Sequence, residues 1–259
     1  MSSPSAPDRI MVFAAGSLRV ALPALAAAFI AATGVAVETR HGPAGLLRER
    51  IEAGDRPDLF LSADLGHPKR LAAAGLAGPP VLFARNAMVA LAHRRAAVTG
   101  SAELLDRMLD PAIRLGTSTP LKDPSGDYAW AIFRRADRVR PGAFARLDAK
   151  ALKLVGGAEP PPATATAAPY SPVARALAEG DADIFLGYAT GLRPLAAEHV
   201  DLTVVDLPAE LVVGPEYGLA LLAGGAPDAV RFALFLLSLD GQALLRRAGF
   251  SPVALPAEP

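Results

Sequence analysis

The chain opens on a continuous apolar run, Ile10-Met11-Val12-Phe13-Ala14-Ala15, that turns at Gly16-Ser17 into a different rhythm. There Leu18, Ala21, Leu22, Leu25 and Phe29 recur at i, i+3, i+4 and i+7. The change of period predicts a buried strand, a Gly-Ser corner and an amphipathic helix with Ser17 at its N-cap. Pro23 then falls early in that helix, where its missing N–H predicts a kink or a loosened first turn. Val35 to Thr39 alternates as a second strand, and His41-Gly42-Pro43-Ala44-Gly45 opens a helix with Leu46, Leu47 and Ile51 inward. Pro57 to Leu61 reads as a third strand, Ser62-Ala63-Asp64 as its exit, and Pro68 to Ala74 as a short helix. Strand and helix alternate, the pattern of a parallel sheet flanked by helices. On such sheets ligands gather at the carboxyl ends of the strands, where Ser17 and Ala44 fall.

Beyond Gly78-Pro79-Pro80, the apolar stretch Val81 to Ala92, interrupted by Arg85-Asn86, reads as a strand crossing between domains. Ile113 to Thr117 predicts another strand, and the turn cluster Pro120 to Ala129 opens a helix through Phe133. A Pro/Ala/Thr-rich loop from Gly156 to Pro169 leads to a helix over Ser171 to Glu179 and a buried strand, Ala182 to Ala189, that carries Tyr188. Asp201 to Leu207 reads as the crossing back, and Glu216 to Ala223 as the last strand. Two helices finish the chain, Pro227 to Leu239 with an inward stripe of Val230, Leu234 and Leu237, and Gly241 to Ala248.

Composition narrows the function. The 259 residues are 52% apolar and 20% charged, enough for a large core or two medium domains. Twenty-six basic and 26 acidic residues cancel, so no global field points to nucleic acid or an anionic membrane. The Arg94-Arg95, Arg134-Arg135 and Arg246-Arg247 pairs lack interleaved aromatics and read as solvated faces. Without cysteine there is no disulfide, zinc-thiolate site or thiol nucleophile, and His41, His67, His93 and His199 lack metal-ligand spacing. Phosphate-loop, dinucleotide and nucleophile-elbow motifs are absent. Asp58 and Asp64 bracket a strand and read as structural caps, and Asp123 and Asp127 as helix-opening charges. No apolar run is long enough to span a membrane, and the Pro/Ser-rich start has no signal-peptide pattern. Either the protein is cytoplasmic or a leader was removed or omitted.

What the corners offer is donors. Helix N-termini present unpaired N–H groups and the positive end of the macrodipole, so Ser17 marks an anion site or merely caps its own helix.

An ordered set of fragments goes further. Phe13-Ala14-Ala15-Gly16-Ser17-Leu18, Gly42-x-x-Gly45-x-Leu47, Ile51-Glu52-Ala53-Gly54 followed by Pro57 to Asp64, Asp123-Pro124-Ser125-Gly126-Asp127-Tyr128-Ala129, Leu186-Gly187-Tyr188, and Leu236 to Ala243 through Gly249-Phe250 resemble the periplasmic molybdate-binding proteins of ABC transporters. The resemblance runs from about Arg9 to Phe250. It implies an α/β protein of two doubly wound lobes joined by two hinge crossings, like class II periplasmic binding proteins, that close on a tetrahedral oxyanion. The first lobe is expected over residues 8–83 plus 208–259 and the second over 84–207, with residues 1–7 a disordered tail.

Carried over, the family's first ligand serine falls on Ser17, its turn-borne backbone donor on Ser125, its helix-opening backbone donor near Val173 and its tyrosine on Tyr188. The second ligand serine falls on Ala44, a departure that bears on which oxyanion is bound. The resemblance implies a monomeric, non-enzymatic receptor. It has no catalytic residue, cofactor or cation ligand, binds molybdate or tungstate, and delivers it to an inner-membrane permease from the periplasm. Neutral donors suit a fully deprotonated dianion, which only accepts hydrogen bonds, whereas phosphate keeps a proton and benefits from a carboxylate such as Asp123 or Asp127. A cytoplasmic oxyanion sensor, a sulfate or phosphate receptor, and an enzyme on the same architecture remain open alternatives at this level.

Overall fold

A computed structural model describes residues 9–157 and 171–253. The expected tail 1–7 and most of the Pro/Ala/Thr-rich loop lie outside them. Two compact units divide the chain, residues 1–86 with 216–259, and residues 87–215. Residues 208–215, expected with the first lobe, group with the second unit, because Leu211 is buried in a 3-10 turn, Ala209–Leu211, packed on a helix of that unit.

The first unit holds strands β1 (Arg9–Ala15), β2 (Ala36–Gly42), β3 (Leu59–Ser62), β4 (Val81–Arg85) and, after the chain returns, β10 (Glu216–Leu221). They form one sheet in the order β2-β1-β3-β10-β4. β1 runs parallel to β2 and β3, while β10 is antiparallel to β3 and β4. Helices α1 (Leu22–Thr33), α2 (Ala44–Glu52) and α3 (Gly66–Ala73) follow the first three strands, and α9 (Pro227–Leu237) and α10 (Leu239–Arg247) close the unit. Its core gathers Ile10, Val12 and Phe13 of β1, Leu59, Phe60 and Leu61 of β3, and Leu22, Leu25 and Phe29 of α1. Each such side chain contributes roughly 1.5–3 kcal/mol by leaving water. Phe29 meets Phe232 of α9 edge-on at 5.0 Å.

The second unit repeats the plan. Strands β5 (Met88–His93), β6 (Leu115–Ser118), β7 (Leu152–Val155), β8 (Ile184–Tyr188) and β9 (Leu202–Asp206) form a sheet in the order β7-β6-β8-β5-β9. β6 is parallel to β7 and β8, and β5 is antiparallel to β8 and β9. Helices α4 (Ser101–Leu109), α5 (Pro124–Val139), α6 (Ala143–Lys150), α7 (Pro172–Glu179) and α8 (Ala189–Glu198) surround it. Two mixed α/β sheets with flanking helices are the expected fold class.

Several local expectations are corrected. No long helix begins at Ser17. Gly16–Val20 is a 3-10 turn, and α1 begins at Leu22 with Pro23 in its first turn. A proline without an N–H is accommodated there, whereas a helix running from Leu18 would lose a ladder bond to it. The run Val81 to Ala92 is two strands in different sheets, broken at Asn86-Ala87. Asp201 to Leu207 is no crossing; β9 pairs with β5 inside the second unit. α4, α6, β7 and α8 have no counterpart in the sequence reading. The inward stripe of α9 is Ala229, Phe232, Ala233 and Leu236, while Val230 and Leu234 are 46% and 62% exposed. Apolar residues all round that helix obscure which face turns inward.

Candidate functional site

In the first unit the register of the parallel pair decides the geometry. Ala15 of β1 lies opposite Gly42 of β2, so Ser17 and Ala44, each two positions further on, leave the same edge of the sheet on adjacent strands. The 3-10 turn that carries Ser17 has no side-chain cap, and neither has α2, whose N-cap is Pro43 and whose first helical residue is Ala44. First-turn N–H groups without a side-chain acceptor are available to an anion.

The Ser17 hydroxyl is held from behind. Tyr217 of β10 donates its phenolic hydrogen to Ser17 Oγ at 2.9 Å, and Asn86 Nδ2 donates to Tyr217 Oη at 3.1 Å. Tyr217 and Asn86 are buried, at 0% and 6% exposure. Phe83 and Phe250 meet the tyrosine ring edge-on at 6.3 and 5.3 Å and fix its plane. The sequence reading passed over both residues. Their signal was polar residues in otherwise apolar strand contexts, Asn86 interrupting Val81 to Ala92 and Tyr217 opening an apolar strand.

Charge at this edge is modest. Arg19 follows the serine and its Nη2 approaches the His41 carbonyl at 3.4 Å. Burial first, and the Arg19 cation second, push the His41 imidazole below its ordinary value, against a hydrogen bond with the Ala15 backbone that raises it. His41 is therefore neutral at neutral pH. Asp58 is structural, accepting from the N–H groups of Met11 and Ala226, each at 2.7 Å. Asp64 accepts from Ser62 Oγ at 2.8 Å and from the His67 N–H at 3.2 Å. The two carboxylates thus serve separate backbone anchors and form no acid–base pair.

The second unit collects Ser125, Val173 and Tyr188, and its backbone donors are arranged differently. Asp123 caps α5, its Oδ1 accepting from the Ser125 N–H at 3.0 Å. Burial raises the Asp123 carboxyl above its ordinary value, against hydrogen bonds from the Ser125 N–H and the Ser118 hydroxyl that lower it, with the neighbouring Asp127 charge adding to the rise. Ser171 caps α7 and accepts from the Val173 N–H at 3.3 Å. Both N–H groups therefore meet an acceptor from their own turn, whereas the caps of the first unit leave theirs open. Tyr188 ends β8, pairs with Met88 in register and meets the Tyr128 ring at 6.3 Å in a T-shaped contact.

Asp127 accepts from the Leu121 N–H at 3.0 Å, so this carboxylate too is a turn anchor. Among the described residues no group of three or more His, Cys, Asp or Glu is placed to hold a metal ion, and no helix is long and apolar enough to cross a membrane.

A protein of Pasteurella multocida (strain Pm70), itself uncharacterized, is 37% identical over 243 residues, 93% of this chain and 98% of its own length. Among solved structures, the periplasmic molybdate-binding protein of Azotobacter vinelandii superposes with a TM-score of 0.72 at 21% identity, over 96% of this chain and 100% of that one. The sulfate-binding protein SubI of Mycobacterium tuberculosis H37Rv superposes with a TM-score of 0.75 at 17% identity, over 95% and 87%. At these identities the likeness is one of fold. The model of the bacterial extracellular solute-binding proteins matches residues 10–251, nearly the whole of the chain, and with an uncapped, serine-bearing strand edge in its first unit the chain belongs to the bacterial extracellular solute-binding protein family.

Proposed function

We propose that this protein is the substrate-binding component of an ABC importer, that it captures a tetrahedral oxyanion, with molybdate or tungstate preferred, and that it works on the periplasmic side as a monomer without altering its ligand. The observation that carries the reading is the strand edge of the first unit. A serine hydroxyl held by a buried tyrosine and two helical N-termini without side-chain caps leave adjacent parallel strands in register. These are neutral donors for an ion that only accepts, and they add no buried counter-charge to desolvate. Ser17 donates its hydroxyl and Ala44 its N–H. In the second unit Ser125 and Val173 supply backbone N–H groups, which then turn from their own caps, and Tyr188 supplies its phenol. The likeness in fold to a molybdate-binding and to a sulfate-binding protein supports an oxyanion as the ligand, and the ordered sequence fragments that resemble the molybdate-binding proteins favour molybdate or tungstate among them.

Calorimetric titration with molybdate, tungstate, sulfate and phosphate tests the proposal. Molybdate and tungstate are expected to bind more tightly than sulfate and phosphate. Failure to bind any of the four removes the oxyanion reading. A second reading rests on Ala44, which stands where the molybdate-binding pattern has a serine: with one hydroxyl fewer, the receptor serves sulfate or phosphate instead. The same titration decides, since that reading requires the order of affinities to reverse.

A further inference from the structure

Asn86 and Tyr217 sit where the chain leaves the first unit and where it returns. Asn86 is the last residue before the outward passage, and Tyr217 is the second after the passage back. Between them and Ser17 runs a hydrogen-bonded file whose direction is set at its far end. An amide nitrogen only donates, so Tyr217 Oη is the acceptor at 3.1 Å and its own proton goes to Ser17 Oγ at 2.9 Å. The serine oxygen accepts in turn, and its proton is directed away from the phenol.

We propose that Asn86 and Tyr217 are positioning residues that fix Ser17 as a one-way donor and so select a ligand whose oxygen at that point carries no proton. The inference rests on the reading of Ser17 as an oxyanion ligand and deepens it. Left to itself a serine hydroxyl rotates, donating or accepting as its neighbour requires. With the phenol behind it that freedom is lost before the ligand arrives, and preorganised donors bind more tightly because less ordering remains to be done. Each bond in the file also polarises the next, so the proton that reaches the ligand is more acidic than that of an isolated serine. The supporting end of the file is sheltered, with Tyr217 fully buried and Asn86 6% exposed, so water does not compete for the bond between them, while half-buried Ser17 forms the end open to a ligand. The rings of Phe83 and Phe250 hold the phenol in plane, which lets a phenylalanine at the same place keep the packing while losing the bond.

A double-mutant cycle on the full chain separates this role from a packing role. Molybdate, tungstate and sulfate are titrated into the wild type, Tyr217→Phe, Ser17→Ala and the double variant, with thermal melts recorded alongside; the tightest binder is used for the cycle. With Ser17 present, Tyr217→Phe is expected to weaken binding by about 5- to 10-fold, the equivalent of losing roughly 1–1.4 kcal/mol of hydrogen bonding. In the Ser17→Ala background the same change is expected to cost about twofold or less, because no hydroxyl is left to orient. Asn86→Ala should act in the same direction as Tyr217→Phe and by a smaller factor, being one bond further from the ligand. Equal losses from Tyr217→Phe in both backgrounds, or no loss in either while Ser17→Ala weakens binding, would overturn the positioning role and leave the oxyanion reading standing. If the wild type binds none of the three ions, or Ser17→Ala leaves their binding unchanged, the reading of Ser17 itself falls and the file with it. A lowered melting temperature in Tyr217→Phe with the affinity preserved counts as packing alone, and also overturns the proposal.

Discussion

Tyr217 gives its phenolic hydrogen to Ser17 Oγ across 2.9 Å, although 200 positions of sequence separate them. The strand that returns last therefore braces the corner that forms first. Removing the hydroxyl with Ser17→Ala should take away a hydrogen bond to a charged ligand, worth roughly 1.5–3 kcal/mol. Calorimetry should read this as about a 10- to 100-fold loss of oxyanion affinity. An unchanged affinity would reduce Ser17 to a structural turn residue.

Ala44 offers the converse test. It opens α2 with no side-chain cap before it, so Ala44→Ser places a hydroxyl beside the uncapped N–H groups of that first turn. The added donor is expected to tighten molybdate by about 5- to 10-fold, on the order of 1–1.4 kcal/mol. A titration curve identical to that of the wild type would separate the opening of α2 from ligand binding.

Acid should weaken the second unit through Asp183. This buried carboxylate accepts from Arg95 Nε at 2.6 Å, from the Arg114 backbone N–H at 2.8 Å, and from Arg114 Nε and Nη2 at 3.0 and 2.9 Å. Burial alone would raise its titration, but the bonds from Arg114 and Arg95 outweigh burial and hold it far below the usual carboxylate range. With the folded value depressed, the ionised group contributes its full stability above the unfolded value near pH 4 and loses it as the pH falls toward the folded one. Thermal melts should therefore show a decline below about pH 4 that Asp183→Asn largely abolishes, that variant being less stable at neutral pH by about 2 kcal/mol. Parallel pH profiles for the two proteins would exclude Asp183 as the source.

The turn before α5 allows no side chain at Gly126. A Cβ there would lie 2.6 Å from Pro120 N and from the Thr119 carbonyl carbon, and 2.7 Å from Ser118 O, all of them backbone atoms. Gly126→Ala is expected to cost about 1–3 kcal/mol of stability, since no flexible side chain can yield. It should also weaken the oxyanion if the adjacent Ser125 N–H takes part in binding. A melting temperature within a degree or so of the wild type would show that the turn relaxes freely.

Much of this was legible in the sequence because local chemistry wrote it there. Alternating strands and helices announced the first sheet and, in the second, β6 and β8, and the apolar spacing of Leu18, Ala21, Leu22, Leu25 and Phe29 marked a face that is indeed buried. The corners at Ser17 and Ala44 follow from strand ends that Gly and Pro punctuate. What escaped depended on distance in sequence or on ambiguous period. Pro23 moved the helix start because its ring suits a first turn, a preference that the hydrophobic period does not register. The inward face of α9 was misread because Val230 and Leu234 are as apolar as the residues that pack. No spacing rule announces that Asn86, Tyr217 and Ser17 meet, because Ser17 follows β1, Asn86 follows β4 and Tyr217 lies in β10, far apart in the sequence. The caps Asp123 and Ser171 were visible as residues; that they occupy the Ser125 and Val173 N–H groups is a matter of geometry.

The order of strands in the first sheet also has a consequence for biosynthesis. Among the described residues β4 pairs with β10 and, through Arg85, with Ser251, both of which the chain supplies after the whole of the second unit has been made. During synthesis β4 thus waits, an unsatisfied edge, while residues 87–215 form a contiguous unit able to close its own sheet first. The first unit is begun before the second and completed after it, so the corner at Ser17 acquires its brace from Tyr217 only once the chain has passed through the whole of the second unit and made β10.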